Sequence, residues 1–259
     1  MAADPDSQPL LEARAISKRF GGVLALEGVS ASFHAGEIVA VMGENGAGKS
    51  TLMKCLAGVH QPNEGKVVID GELTQIPDVR AAENLGIAFI HQELNLAENL
   101  NIGANVYLGR EPRILGPFFN QREIRAHTRK LLGDLELDIA PDTLVRDLSI
   151  GHRQMVEIAK ALSQKARILI MDEPTSSLSL HETRVLFRLV KKLRDEGMCI
   201  VFISHRMAEV EEIADRVIVL RDGRNSGELG REEISRDRII SLMVGRKLVV
   251  HEKAGGETG

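Results

Sequence analysis

Short aliphatic and β-branched runs recur along the chain, separated by longer stretches in which apolar positions return with helical period. The runs lie at 38–42 (IVAVM), 66–70 (KVVID), 86–91 (GIAFIH), 168–172 (ILIMD), 199–204 (CIVFIS) and 216–220 (RVIVL). Several are apolar on both faces, the pattern of strands buried between helices in a mostly parallel sheet, so the fold is predicted to be α/β. The first forty residues differ: Leu24, Leu26, Val29, Ala31 and Phe33 follow a strand-and-turn pattern punctuated by Gly21-Gly22 and Gly36. This predicts an N-terminal antiparallel β-subdomain beside the core. From 91 to 164 no strong strand is visible, while helical periodicity runs through 121–139 and 151–164, which predicts a helical subdomain inserted at about 93–165. One domain over 10–246 is expected, with a disordered lead-in at 1–9 and a flexible tail at 247–259.

Composition narrows the possibilities. The 259 residues are 43% hydrophobic and 27% charged, ordinary globular usage. A balance of 33 Lys plus Arg against 37 Asp plus Glu is far from the basic footprint of a dedicated nucleic-acid binder, and no direct nucleic-acid partner is expected. Aromatic residues make up 3%, with no Trp, one Tyr and seven Phe, so the core must be aliphatic and base-stacking platforms are scarce. The longest wholly apolar runs are about five residues, against roughly 20 for a membrane span, so none is predicted. The polar start (MAADPDSQP) has no signal-peptide core. Cys55 and Cys199 have neither paired spacing nor metal-ligand neighbours and read as buried reduced thiols, suited to a reducing cytoplasm.

Gly43-Glu44-Asn45-Gly46-Ala47-Gly48-Lys49-Ser50 fits the phosphate-loop pattern G-x-x-x-x-G-K-[ST], between the run at 38–42 and a helix-like segment at 50–58. Its glycines let successive backbone N–H groups turn inward on phosphates, and the helix N-terminus adds partial positive charge. Lys49 is expected on the β- and γ-phosphates of ATP and the Ser50 hydroxyl on Mg²⁺, with Thr51 closing the binding stretch. The run at 168–172 ends in Asp172, followed by Glu173. Asp172 can join the Mg²⁺ shell, and Glu173 can face the γ-phosphate where an attacking water sits. A strand-end Asp is also a common helix cap, and it is the upstream phosphate loop that favours the metal role.

Four more segments complete a pattern: Phe20 before Gly21-Gly22, Gln92 after the run at 86–91, Leu148-Ser149-Ile150-Gly151-His152-Arg153-Gln154, and His205 after CIVFIS. Taken singly, Phe20 reads as a core residue, His205 as a surface one and Ser149 as a helix cap. In this order the chain resembles the nucleotide-binding subunit of ABC transporters over residues 10–250. The resemblance implies that Phe20 stacks on adenine, that Gln92 contacts Mg²⁺ and the attacking water, and that His205 contacts the γ-phosphate. It further implies that Ser149, Gly151 and His152 form the signature that binds ATP held by an opposite subunit. Ile150 and His152 stand where the family commonly has Gly and Gln, and Ser179 where it usually has Asp.

The resemblance is strongest to the first half of bacterial monosaccharide importer ATPases of the ribose, galactose and xylose type, through stretches such as MGENGAGKSTLMKCLAGVHQPNEG and MDEPTSSLS. It implies an ATP hydrolase with catalytic Glu173, His205 and Lys49. Its expected place is the cytoplasmic face of the inner membrane, peripheral, paired with a second ATPase subunit. It would work with membrane permease subunits and, through them, a periplasmic sugar-binding protein. Related ATPases in chromosome maintenance, DNA repair and translation usually carry heptad arms or tandem domains with a basic linker, and neither is visible.

Overall fold

In the structure, a computed structural model that describes residues 8–115, 118–164 and 166–245, Gly21 and Gly22 turn the chain between β1 (Leu11–Phe20) and β2 (Val23–Phe33). Most of the expected lead-in, 1–7, and the expected tail, 247–259, lie outside the described residues. The hairpin buries one face, with Leu11, Ile16, Leu26, Val29 and Phe33 all inaccessible. The chain continues through β3 (Ile38–Met42), buried at every position, then α1 (Lys49–Leu56) and β4 (Glu64–Ile69). β4 carries most of the run at 66–70 but does not join the parallel sheet. Asp70 and Gly71 both take positive φ, 52° and 83°, and turn the chain tightly into β5 (Glu72–Thr74). An Asp-Gly pair of this kind matches the twist of a two-residue hairpin. β4 pairs antiparallel with β1, so a four-stranded sheet ordered β2-β1-β4-β5 extends beyond the first forty residues.

Next come α2 (Val79–Asn84), capped by the Asp78 side chain, and β6 (Ile87–Ile90). The inserted helical subdomain follows: α3 (Ile102–Val106), a small hairpin of β7 (Arg113–Leu115) and β8 (Phe118–Phe119), α4 (Gln121–Asp134) and α5 (Ile150–Leu162). Buried Asn105 pins the approach to α3, accepting from Ala97 N–H at 2.7 Å and donating to the Ala97 and Asn101 carbonyls at 3.0 Å. α4 stops before the expected residue 139 because Glu136 turns left-handed (φ 55°) and Leu137 N–H closes on the Leu132 carbonyl at 2.8 Å.

The chain returns to the central sheet at β9 (Ile168–Asp172), then runs through α6 (Leu180–Asp195), β10 (Cys199–Ile203), α7 (Met207–Ile213), β11 (Arg216–Arg221), β12 (Arg224–Gly230) and α8 (Arg236–Val244). The order is β12-β11-β3-β10-β9-β6, parallel throughout except for β12. β12 folds back through a second Asp-Gly turn, Asp222-Gly223, with φ 51° and 74°. Because β10 alone separates β3 from β9, the phosphate loop and the acidic strand end share the C-terminal edge, where open α/β sheets bind ligands. The core is aliphatic as expected, with Phe33 and Phe202 the aromatic exceptions among its largest fully buried side chains. Cys55 and Cys199 are free and buried, and burial pushes the Cys55 thiol up to about 11. Among the described residues no helix is long and apolar enough to cross a membrane.

An ion pair between buried Glu37 and partly buried Arg216 ties the two sheets together. Glu37 accepts from Arg216 Nε at 2.8 Å and Nη2 at 3.1 Å, and the same Nη2 reaches the Ser32 carbonyl of β2 at 2.6 Å. Burial pushes the Glu37 carboxyl up, but the hydrogen bonds and charge of Arg216, helped by His34, outweigh it and hold the group below its ordinary value. The folded pKa therefore lies below the unfolded one. The stabilisation is fully present above the ordinary carboxylate range and is lost as pH falls through the folded value. Glu37→Gln is expected to destabilise the protein by roughly 3 kcal/mol near neutral pH, with the gap narrowing in acid. Urea unfolding of both proteins across pH checks this, and a gap that stays constant into acid would refute it.

Candidate active site

The phosphate loop follows β3, and two of its glycines are sterically required. A Cβ at Gly43 (φ 152°) would fall 2.3 Å from the Leu220 carbonyl oxygen, and one at Gly48 (φ 99°) 2.6 Å from Leu26 Cδ2. Gly48 is the left-handed N-cap of α1, so the first-turn N–H groups of α1 open onto the loop without partners inside the helix. Buried Ala47 anchors the loop, its carbonyl accepting from Gly223 N–H at 3.2 Å. Lys49 is buried and folds back, Nζ donating to the carbonyls of Gly43 at 2.8 Å and Glu44 at 3.0 Å. Burial holds the Lys49 pKa below its ordinary value, against the opposing charges of Glu173 and Asp172.

Ser50 Oγ donates to Asp172 Oδ1 at 3.1 Å. Asp172 is 3% exposed, and burial raises its pKa, partly offset by the Ser50 hydrogen bond. Glu173 adopts a left-handed backbone (φ 48°), rare for a residue with a side chain, and its N–H bonds the Ile203 carbonyl at 3.1 Å. Its carboxylate has two neighbours: His205 Nδ1 lies 3.2 Å from Oε1, and Gln92 Nε2 donates to Oε2 at 3.4 Å. A cavity of about 540 Å³ is lined by Asn45, Gly46, Gly48, Lys49, Ser50 and Thr51, together with Gln92, Glu173 and His205. A cavity of similar size, about 570 Å³, lies by Cys55, Lys66 and Ile76 and contains none of these groups.

The oxygens of Ser50, Asp172 and Gln92 are hard donors of the kind Mg²⁺ prefers, and a divalent cation would relieve the cost of burying the Asp172 carboxylate. Among the described residues no group of three or more His, Cys, Asp or Glu could hold a metal ion. One hydroxyl, one carboxylate and one amide oxygen suit a cation held by few protein oxygens and by substrate phosphates.

The remaining candidates sit elsewhere. Phe20 does not line the cavity; it is half-exposed at the end of β1, with the His60 ring edge-on at 5.0 Å and Lys18 Nζ 5.0 Å from its centroid. Ser149 caps α5, accepting from His152 N–H at 3.2 Å. A Cβ at Gly151 would fall 2.8 Å from Glu182 Oε1, and His152 Nε2 lies 3.9 Å from the same oxygen. None of the three lines the cavity. Ser179 caps α6 in a reciprocal pair with Glu182.

Some supporting residues went unread in the sequence. Glu157 accepts from Asn95 N–H at 2.7 Å and Lys160 donates to the Asn95 carbonyl at 3.1 Å, tying the segment after Gln92 to α5. The helical spacing of the pair was visible, but nothing local pointed to its partner. Glu209 is a third such residue, buried on α7 and hydrogen-bonded to Thr175.

A phosphate loop joining β3 to α1, with Asp172 closing a strand two places away in a parallel sheet, defines a P-loop NTPase core. The family described as "ABC transporter" matches residues 26–176, and the chain belongs to that family. It is 49% identical over 244 residues to "Putative ribose/galactose/methyl galactoside import ATP-binding protein 1" of Burkholderia ambifaria, covering 94% of this chain and 47% of the relative. The chain thus spans about half the length of the curated relatives it matches. Among solved structures it resembles a nucleotide-free ATP-binding cassette from an ABC transporter, with TM-score 0.80, 26% identity, and coverage of 90% of this chain and 96% of that one. It also resembles a dimeric, post-hydrolysis cassette bound to ADP and Pi, with TM-score 0.76, 27% identity, and coverage of 85% and 98%.

Proposed function

We propose that the chain hydrolyses ATP to power import of a sugar through separate membrane permease subunits. The observation that carries the reading is the gathering of Lys49, Ser50, Glu173 and His205 on one cavity, with Asp172 hydrogen-bonded to Ser50. Relatives named as sugar-import ATP-binding proteins support the cargo class. In this reading the chain works at the cytoplasmic face of the inner membrane, peripherally, beside a permease served by a periplasmic sugar-binding protein.

Lys49 exchanges the Gly43 and Glu44 carbonyls for phosphate oxygens, and the N–H groups of the loop and the first turn of α1 cradle the same phosphates. Ser50, Asp172 and Gln92 would hold Mg²⁺, which when bound would supply charge neutralisation at the phosphates. Glu173 orients the attacking water and takes its proton, while His205 faces both Glu173 and the γ-phosphate. Phe20 receives the adenine. Ser149, Gly151 and His152, lying off this cavity, serve ATP held by a second ATPase subunit, either another copy or a paired chain.

The test is purification of the tagged chain from solubilised membranes with identification of what accompanies it. A multi-span permease and a periplasmic sugar binder are expected. Recovery with a nuclease or ribosomal factor and no membrane protein would refute the transport reading.

A further inference from the structure

Glu209, the third residue of α7, is 7% exposed although its neighbours Arg206 and Ala208 are exposed. Its carboxylate accepts three hydrogen bonds: Thr175 Oγ1 at 2.9 Å and Ser204 Oγ at 2.6 Å on Oε2, and Arg206 Nη1 at 3.1 Å on Oε1. An acid at the third position of a helix ordinarily reaches back to cap the N-cap backbone N–H. Here Ser204 Oγ takes that N–H, of Arg206, at 3.0 Å. Capping also leaves Thr175 unexplained, since it belongs neither to α7 nor to its approach. Thr175 follows Glu173 by two positions, and Ser204 and Arg206 flank His205. One buried carboxylate therefore bridges the segment that carries Glu173 and the segment that carries His205.

Thr175 and Ser204 are each 2% exposed, so a lost acceptor leaves their hydroxyls unpaired away from water. The left-handed backbone of Glu173 persists only where the surroundings enforce it. We propose that Glu209 is a positioning residue for ATP hydrolysis, fixing the loop of His205 against the strand end of Glu173 through Ser204 and Thr175. The proposal rests on the reading of Glu173 and His205 as working groups. Glu209 lines no part of the phosphate cavity and touches neither the phosphate loop nor Lys49, so its effect is expected on turnover, through Glu173 and His205, more than on nucleotide binding.

The test compares the purified wild-type chain with Glu209→Ala and with Thr175→Val, which removes one donor at nearly constant shape. A fluorescent ATP analogue is expected to bind all three within about twofold, while kcat falls about tenfold to a hundredfold in both variants. A second readout needs no hydrolysis. In the wild-type background Glu173→Gln is expected to shift the His205 ring NMR signal, and in Glu209→Ala that response is expected to shrink. Unchanged kcat in both variants, affinity and kcat falling together with melting temperature, or an undiminished His205 response would each overturn the proposal. A wild-type chain unable to hydrolyse ATP would sink the ATPase reading instead, and the His205 response would still decide whether Glu209 joins the two segments.

Discussion

Lys49→Ala is expected to raise the Kd for ATP by about two to three orders of magnitude with the fold intact. A charge-assisted hydrogen bond contributes about 1.5–3 kcal/mol, and two from one ammonium to phosphate oxygens set the upper end of the effect. The net loss is smaller than the sum, because in the free protein Nζ already bonds the Gly43 and Glu44 carbonyls. A second contribution acts in the same direction. Lys49 is a cation whose charge opposes those of Glu173 and Asp172, and its removal leaves Lys54 as the remaining lysine acting on Asp172, so incoming phosphates face more uncompensated negative charge. Lys49→Arg is not a safe conservative control, because a larger planar group must enter a buried position. Calorimetric titration with ATP and Mg²⁺, beside circular dichroism to confirm folding, measures the effect. A variant that binds within about threefold of wild type would remove Lys49 from the phosphate site.

The strands at 38–42 and 168–172 were legible to the residue because both their faces are buried, so every position carries the apolar signal. β12 was not, because it is a polar strand (RNSGELG) at the sheet edge, and its cue is the Asp222-Gly223 turn before it. The same chemistry at Asp70-Gly71 decides the allegiance of β4, whose apolar residues alone suit either sheet. The end of α4 was misplaced because Glu136, not glycine, takes the left-handed position. In the site, local spacing announced the phosphate loop and the Asp172-Glu173 pair, and the structure brings Ser50 within hydrogen-bonding distance of Asp172. No local spacing announces the bond between Glu209 and Thr175, which are separated by 34 positions and meet only through the order of the sheet.

Glu173→Gln is expected to cut ATP turnover by at least about a hundredfold while ATP binding is kept. Glutamine has nearly the shape of glutamate and leaves the strand end and its neighbours His205 and Gln92 in place, but it cannot take a proton from water. It also removes a negative charge from the cavity lined by Lys49 and Ser50, so affinity is expected to hold or improve. Long-lived ATP then exposes the assembly. Ser149 and Gly151 lie off this chain's phosphate cavity, and the exposed apolar side chains Ile150 and Leu180 start α5 and α6 beside them. If two copies complete each other's sites, ATP with Mg²⁺ drives the Glu173→Gln protein from monomer to dimer, and Ser149→Arg, which blocks the cap of α5, prevents it. Sedimentation at saturating ATP decides. A persistent monomer points to a different ATPase chain as partner, and a wild-type rate of hydrolysis in Glu173→Gln would end the assignment of Glu173 as the base.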